Sequence, residues 1–189
     1  MPNSSLKQYV LNNFSNTEIN LHLGCGGNRV PNYINVDLYP SDTKVTDTSR
    51  NGCVADVFCD IRKLELDENT VDNILTQHVV EHFTRWDAID MIRSWFLIIK
   101  PNGKLITEMP DFRKCVLWLF HFKRRKRELA KSQFYGNQWD RLDYETHRYV
   151  WSATEFEKIL LDIGFSDVSV THKTNSHVPG RDMRVVAIK

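Results

Sequence analysis

Glycines and polar side chains stand where several short apolar segments of the chain end. Gly24 and Gly26 directly follow the first segment. Asp37 and Asp60 end the next two, and Gln77 follows the fourth. A glycine lets the backbone approach a ligand closely, because it has no Cβ. A carboxylate can accept hydrogen bonds from a ribose diol or from an adenine amino group. These residue types predict a nucleoside-binding site, provided that they meet at one edge of a sheet.

The order of the periodic segments predicts an α/β fold. Apolar patterning and turn residues predict strands over 19–23, 33–37, 55–60, 71–76, 104–109, 168–171 and 183–188. Helical spacing of apolar residues predicts helices over 6–14, 86–99, 116–122 and 153–163, the last with Ser152 as N-cap and Glu155 in a capping box. Strands that alternate with helices form parallel sheets, because parallel strands need crossover connections. We therefore expect one doubly wound domain over 1–189, with a seven-stranded, mostly parallel, Rossmann-like sheet.

Two connections depart from the simplest doubly wound pattern. The segment 27–32 between the glycines and the second strand is too short for a full crossover helix. The segment 175–180 joins the last two strands without room for a helix, which predicts an antiparallel C-terminal hairpin. Since open α/β sheets bind ligands beyond the carboxyl ends of their strands, the residues named above should share one edge.

Composition excludes several classes of protein. The formal net charge is +1, so no overall field would recruit nucleic acid or membrane. The polar N-terminal segment lacks a signal pattern, and the longest apolar run, 95–99, is too short to span a bilayer, so a cytoplasmic location is expected. The four cysteines form no CxxC pair, which disfavours a structural zinc site and favours buried thiols.

The succession of motifs resembles the class I S-adenosylmethionine-dependent methyltransferases. The matching motifs are Leu21-His-Leu-Gly-Cys-Gly26, Asn35-Val-Asp37, Cys59-Asp-Ile61, Val71-Asp-Asn-Ile74, His78-Val-Val-Glu-His-Phe83 and Ile99-Lys-Pro-Asn-Gly-Lys-Leu105. The stretch 78–83 is similar to the small-molecule "type 11" branch. The further motifs Pro110-Asp-Phe112, Tyr135-Gly-Asn-Gln138 and His147-Arg148 are similar to a subgroup of predicted methyltransferases linked to cell-surface polysaccharide synthesis.

The resemblance implies S-adenosylmethionine as cofactor and a set of residues around it. Glycines 24 and 26 would flank its methionine part, Asp37 would hold the ribose, and 60–61 would frame the adenine. The backbone at 77–78 would border the sulfonium. The implied cofactor-binding residues are His22, Gly24, Cys25, Gly26, Asp37, Leu38, Asp60, Ile61, Gln77 and His78. His22 stands where the family often has an acidic residue for the methionine amine, so we expect altered amine recognition.

Transfer to a hydroxyl would need alignment of the acceptor with the sulfonium and a general base. His78, Asp111 and His147 are the principal catalytic candidates, and His82 is a fourth, each with a structural role as the alternative. A histidine pKa near 6.5 suits a base at neutral pH. His78 and His82 also have the i, i+4 spacing of a two-histidine metal site. No third ligand is identifiable from the sequence, so no metal is expected.

The segment 116–122 runs into the basic cluster 123–127. Such a cluster can bind phosphate or nucleic acid, or can be a solvated helix end that complements the helix dipole, and we favour the second interpretation. The aromatic residues Trp118, Phe120 and Phe122 are expected to pack on the core or on a partner subunit in a homodimer. The surrounding segment 110–150 is expected to be a substrate-side insertion or lid.

The leading functional hypothesis is a methyltransferase acting on a hydroxyl of a small molecule or saccharide. The alternative is a degenerate methyltransferase fold that serves as a binding or regulatory protein, which His22 and the short first connection would suit. Methylation of nucleic-acid bases is disfavoured. The fourth strand is followed by Gln77-His-Val-Val80 and not by an Asn/Asp-Pro-Pro-aromatic motif.

Overall fold

The computed structural model describes residues 5–14, 18–38, 53–136, 145–174 and 178–189. Within them the strands are β1 (Asn20–Leu23), β2 (Ile34–Asp37), β3 (Val57–Phe58), β4 (Val71–Gln77), β5 (Ile99–Pro110), β6 (Asp167–Thr171) and β7 (Asp182–Ile188). The α-helices are α1 (Leu6–Asn13), α2 (Arg85–Ile98), α3 (Phe112–Leu119), α4 (Arg124–Tyr135) and α5 (Ala153–Ile163), and a 3₁₀ helix spans Val80–His82. Parts of two predicted features, the motif at 135–138 and the turn at 175–180, lie outside the described residues.

The strands form one seven-stranded sheet in the order β3-β2-β1-β4-β5-β7-β6. Neighbouring strands from β3 to β5 pair in parallel, whereas β7 runs antiparallel to both β5 and β6. The predicted fold, including its antiparallel C-terminal pair, is confirmed. The chain winds outwards from β1 towards β3 and then resumes on the other side at β4. This reversal makes the carboxyl ends of β1 and β4 the topological switch point, where doubly wound sheets bind ligands.

The central strands are apolar because helices cover the sheet, as in other parallel sheets. Leu21 on β1 lies between Ile34 on β2 and Ile74 on β4, and all three side chains are buried. The connection from β1 to β2, residues 24–33, contains no helix, as its length predicted. The first turn therefore passes directly from the glycine loop into β2, which keeps the two strand ends close together.

Strand β5 begins earlier than predicted, at Ile99 instead of Lys104. Ile99 pairs with Val71, and the next pair joins Lys104 to Asn73, so the intervening residues bulge out of the ladder. A Cβ at Gly103 would lie 2.7 Å from the carbonyl oxygen of Asp72, which explains the glycine. Strand β3 is shorter than predicted, since only two of its residues pair with β2.

The region after β5 differs most from the prediction. The helix expected over 116–122 is α3, which spans Phe112 to Leu119. It starts at Phe112 because the Asp111 side chain caps its N-terminus. The basic cluster 123–127 opens α4 and does not end a helix. Positive side chains at a helix N-terminus oppose the dipole, so the dipole explanation of this cluster is wrong.

The aromatic residues of this region also contradict the expectation that they pack on the core. Phe120 and Phe122 are 85% and 82% exposed in the chain. The Lys126 ammonium lies 4.4 Å from the ring centroid of Trp118, a cation–π contact. Trp86 on α2 is likewise exposed, whereas Trp95 on the same helix is fully buried. Whether a partner subunit covers the exposed rings stays a prediction.

Helix α5 begins as predicted, with the Ser152 hydroxyl accepting a hydrogen bond from the backbone N–H of Glu155 (3.3 Å). The Glu155 carboxylate, however, accepts from Arg85 (3.0 Å) and from the Tyr149 hydroxyl (2.8 Å). Glu155 thus fastens α5 to α2 and to the segment before it. Among the described residues, no helix combines the length and the apolar character needed to cross a bilayer.

Replacing Trp95 with phenylalanine should destabilise the domain. The indole Nε1 donates to the backbone carbonyl of Ile61 (2.8 Å) in a fully buried position. Its loss would leave that carbonyl unsatisfied, at a cost of about 1–3 kcal/mol in the free energy of unfolding. Urea unfolding would measure the loss, with Trp86→Phe, on the exposed face of α2, as the matched control. Equal stability of the two variants would contradict this role of the indole.

Candidate functional site

The loop after β1 makes a tight turn at the switch point. Gly24 and Gly26 have positive φ angles, of +70° and +51°, which glycine adopts without strain. The backbone N–H groups of Gly24 and Cys25 both donate to the carbonyl of Val36 (2.9 and 3.1 Å). A Cβ on Gly24 would collide with the side chain of Val79. The loop is therefore held against the ends of both β2 and β4.

Asp37 joins the end of β2 to this loop. Its carboxylate accepts hydrogen bonds from the backbone N–H of Gly26 and from that of Leu38, both at 2.7 Å. The Asp37 residue is 8% exposed, whereas Leu38 beside it is exposed. Each carboxylate oxygen has a second lone pair, so Asp37 can accept further hydrogen bonds from a ligand.

The end of β3 lies beside Asp37. Its Asp60 carboxylate, which was expected to be open to the adenine, is paired with another side chain. The backbone N–H of Cys59 donates to the Asp37 carbonyl (2.9 Å), which brings Asp60 and Ile61 to the same edge. The Asp60 carboxylate is bound by the guanidinium of Arg62, with contacts of 2.6–3.0 Å. Hydrogen bonding from Arg62 lowers the pKa of Asp60. An adenine amino group would therefore meet an ion pair at this point, a partner that the sequence did not reveal.

Gln77 connects the end of β4 to both neighbouring elements. Its side-chain oxygen accepts from the Asn28 amide (2.9 Å), and its nitrogen donates to the carboxylate of Glu108 (2.7 Å). Glu108 is fully buried and also accepts from Arg184 on β7 (2.5 Å). A polar chain thus runs from the glycine loop across β4 and β5 to β7. The structure therefore brings Gly24, Asp37, Asp60 and Gln77 to the same edge of the sheet.

His22 lies on β1 and is almost completely buried. Its Nδ1 lies 3.1 Å from the side-chain oxygen of Asn35 on β2. Burial lowers the pKa of His22, although the bond to Asn35 and the charge of Asp37 oppose the shift. A neutral His22 would not repel a sulfonium, which removes the main electrostatic objection to this residue.

His78, the residue after β4, is part of a buried network of charges. It has a positive φ angle of +54°, which is uncommon for residues other than glycine. Its Nδ1 lies 3.1 Å from Glu81 and its Nε2 lies 3.3 Å from Asp182. Burial alone would lower the pKa of His78, but the two carboxylates outweigh it and raise the pKa to about 9. A cationic imidazole cannot accept a proton, so these surroundings favour a positioning role over the predicted general base.

Asp182 completes this network from β7. Its carboxylate also accepts from the buried Arg181 guanidinium (2.5 Å), so each cation in the group touches a carboxylate. Burial opposes ionisation of Asp182, yet the contacts with His78 and Arg181 lower its pKa. Sequence reasoning missed both residues, because they lie about a hundred positions from His78 and no local motif marks them.

Asp111, a second catalytic candidate, has both carboxylate oxygens in use. One accepts from the backbone N–H of Arg113 as the cap of α3 (3.0 Å), and the other lies 2.8 Å from Nε2 of His172. The Asp111 residue is 2% exposed. This environment favours the structural alternative, with His172 as a partner that the sequence did not identify.

His147, the third candidate, lies beside His82 and Glu81. The rings of His82 and His147 are perpendicular, with their centroids 4.7 Å apart. One side-chain N or O atom from each of these three residues lies within 4.8 Å of the others. Burial lowers the pKa of His82, which keeps its ring neutral. The i, i+4 spacing of His78 and His82 does not bring these two rings into one group, since His78 faces Asp182, whereas His147 lies beside His82.

Cys25, Asp37 and Cys53 form another compact group of this kind. Burial raises the pKa of both thiols, and Asp37 is already bound to the backbone of the loop. Neutral thiols are poor metal ligands, so this group does not favour a metal. All four cysteines are free thiols, and three are buried.

A family model described as a methyltransferase domain matches residues 16–170, most of the 189-residue chain. The chain belongs to this methyltransferase domain family. Comparison with curated protein sequences gives no match. The predicted resemblance to the methyltransferases is confirmed by this family match, and the solved structures that share the fold are described as S-adenosylmethionine-dependent methyltransferases.

Solved structures of S-adenosylmethionine-dependent methyltransferases have the same fold. One from Archaeoglobus fulgidus is 15% identical with a TM-score of 0.59, over 96% of this chain and 90% of that chain. One from Methanosarcina mazei is 13% identical with a TM-score of 0.61, over 98% and 99%. One from Thermotoga maritima is 16% identical with a TM-score of 0.57, over 96% and 86%.

The residues at the switch point are compatible with this cofactor. The acceptor Asp37 is buried at the end of β2, the loop at Gly24 is held close to β4, and His22 is uncharged. These features match an adenosyl group with a positively charged sulfonium. The individual contacts of each residue with the cofactor stay predictions.

Replacing Asp182 with alanine should destabilise the methyltransferase strongly. The change leaves Arg181 buried without its carboxylate and removes one of the two carboxylates that face His78. Breaking a buried ion pair in this way costs about 3–5 kcal/mol of unfolding free energy. Asp90→Ala, which breaks the exposed pair of α2 with Arg93, is the control and should leave stability unchanged. A similar midpoint of denaturant unfolding for both variants would refute this view of the network.

Proposed function

We propose that this methyltransferase transfers the methyl group of S-adenosylmethionine to a hydroxyl of a small molecule or saccharide. One observation carries the proposal. The ends of β1, β2, β3 and β4 meet at the switch point, and the imidazoles of His82 and His147 lie on the β4 side. The glycine loop and Asp37 form one half of this edge. Glu81, His82 and His147 form the other half.

In this proposal the cofactor lies along the ends of β3, β2 and β1, with its sulfonium next to β4. Gly24 to Gly26 adjoin the methionine part, with Cys25 between them and the neutral His22 behind. Asp37 and Leu38 hold the ribose. Asp60 and Ile61 frame the adenine, and the backbone of residues 77 and 78 borders the reacting centre.

The bound cofactor supplies an electrophilic methyl group on a good leaving group. The acceptor oxygen forms the new O–CH3 bond while the S–CH3 bond breaks, the sulfonium becomes a neutral thioether, and the hydroxyl proton leaves. The protein must hold the acceptor oxygen in line with the S–CH3 axis, which is catalysis by proximity. A nearby base that takes the proton adds to the rate.

The described environments rank the base candidates. His78 is cationic and Asp111 accepts two hydrogen bonds within the protein, which leaves them with positioning roles. His82 is neutral, and Nδ1 of His147 is bound to the Gln133 carbonyl at 2.8 Å, so Nε2 is its basic nitrogen. These two imidazoles are therefore the favoured candidates for the proton acceptor in the absence of a bound ion.

The segment 110–150 would select the acceptor. Helix α3 starts directly after the carboxyl end of β5, on the edge that carries the cofactor site. Gly136 brings residues 145–147 against the end of α4, since a Cβ there would overlap the carbonyl of Glu145. Through this approach the insertion places His147 next to His82. A saccharide or other polar acceptor would lie between this segment and the sulfonium.

Replacing Asp37 with alanine should weaken cofactor binding. Loss of a charge-assisted hydrogen bond to the ribose costs about 1–3 kcal/mol, which raises the Kd about 5–150-fold. Titration calorimetry with S-adenosylmethionine would measure the change, and Asp67→Ala, at an exposed carboxylate, is the control. A melting curve would verify that the Asp37 variant is folded. Unchanged affinity in the folded variant would remove Asp37 from the ribose site.

Mass spectrometry with isotope-labelled cofactor would test the reaction itself. The expected result is a labelled methyl ether among nucleotide sugars, glycan precursors or small hydroxylated compounds. Cofactor binding without transfer to any member of such a panel would favour the degenerate binding protein over the enzyme. Transfer to RNA with a steep salt dependence would overturn the proposed acceptor class.

A further inference from the structure

We propose that Glu81, His82 and His147 bind a divalent transition-metal ion. Their nitrogen and oxygen atoms meet within 4.8 Å at the carboxyl edge of the sheet. Two imidazoles and one carboxylate are a common ligand set for zinc in catalytic sites and for non-haem iron. Magnesium and calcium prefer ligand sets made of oxygen, so this set favours a transition metal.

Two atoms of the group have unmet bonding capacity. Oε2 of Glu81 and Nδ1 of His82 are buried and have no hydrogen-bond partner among the described residues. The Glu81 side chain is only 3% exposed. A buried polar atom without a partner costs free energy, and native structures rarely keep one without a reason. A cation between these atoms would satisfy both.

The second polar atoms of Glu81 and His147 are already held, as the outer atoms of metal ligands usually are. Oε1 of Glu81 lies 3.1 Å from Nδ1 of His78. Nδ1 of His147 lies 2.8 Å from the carbonyl of Gln133, which leaves its Nε2 to bind the ion.

The backbone fixes His147 beside the other two ligands. The N–H groups of Arg148 and Tyr149 both donate to the Glu81 carbonyl, at 2.8 and 3.2 Å. The backbone N–H of His147 donates to the carbonyl of Tyr135, with an N···O distance of 3.4 Å. Residues 147–149 are therefore held by the 3₁₀ helix on one side and by the end of α4 on the other. A metal bond of about 2.0–2.1 Å to each ligand would need only a small inward movement of these side chains.

Three protein ligands leave a coordination position for another molecule, as in catalytic zinc sites. His82 and His147 are half-buried residues, whereas Glu81 is buried. The inference goes beyond the proposed function, because metal binding requires neither methyl donor nor acceptor. With the ion bound, the imidazoles would serve as ligands, and the ion would lower the pKa of a bound hydroxyl in their place.

The test is calorimetric titration of the chelator-treated full chain with Zn²⁺, followed by Co²⁺ absorption spectroscopy. The expected result is one ion per chain and a cobalt spectrum without a thiolate charge-transfer band. His147→Ala should weaken zinc binding by more than about 100-fold, since even loss of an outer-shell partner costs about 10–100-fold. The matched control is His121→Ala, an imidazole on the turn before α4, which should bind zinc as the native chain does.

A second variant keeps the test valid if one replacement harms folding. His82→Ala should lose zinc binding to the same extent, and melting curves would verify both variants. Binding that survives in both folded variants, or a thiolate band from Cys25 and Cys53, would overturn the inference. Cofactor binding without zinc binding would refute the metal site alone. Zinc binding without cofactor binding would refute the proposed function alone.

Discussion

A partly buried imidazolium between two buried carboxylates holds the carboxyl edge of this methyltransferase together. His78 ends β4, Glu81 lies in the 3₁₀ helix that follows, and Asp182 starts β7. Removing charges from water is costly, and the cost is offset only when every charge keeps its partner. The ends of these three elements are therefore mutually dependent. The positive φ angle of His78 persists because this network holds it.

The C-terminal strand has a larger role than closing the sheet. Because β7 inserts antiparallel beside β5, its first residues reach the same edge as the last residues of the parallel strands. Asp182 thereby contacts His78, and Arg184 contacts Glu108, which in turn binds Gln77. Asp182 and Arg184, which pair with charged side chains at this edge, thus lie far from the glycine loop in the sequence.

The edge divides into two halves with different electrostatics. On the β1–β2 side, the backbone N–H groups of Gly26 and Leu38 hold the Asp37 carboxylate, and the nearby His22 is neutral because burial lowers its pKa. On the β4 side, the charge of Glu81 is shared between His78 and the group with His82 and His147. A carboxylate that supports a cation on one oxygen, while the other finds no partner among the described residues, is well suited to a second cation. This division is the physical basis for the proposed metal site.

The sequence by itself determined the fold class, because strand periodicity, turn residues and connection lengths are local properties of the chain. It also placed Gly24, Asp37 and Gln77 at one edge, since the carboxyl ends of parallel strands must coincide there. Only the tertiary structure decided the partners of each charge: Arg62 for Asp60, His172 for Asp111, and Asp182 for His78. It also brought Glu81, His82 and His147 together, a group that the spacing of His78 and His82 did not indicate. Helical spacing relates only near neighbours, whereas the Gly136 turn and hydrogen bonds to Glu81 bring in a residue 65 positions away from His82.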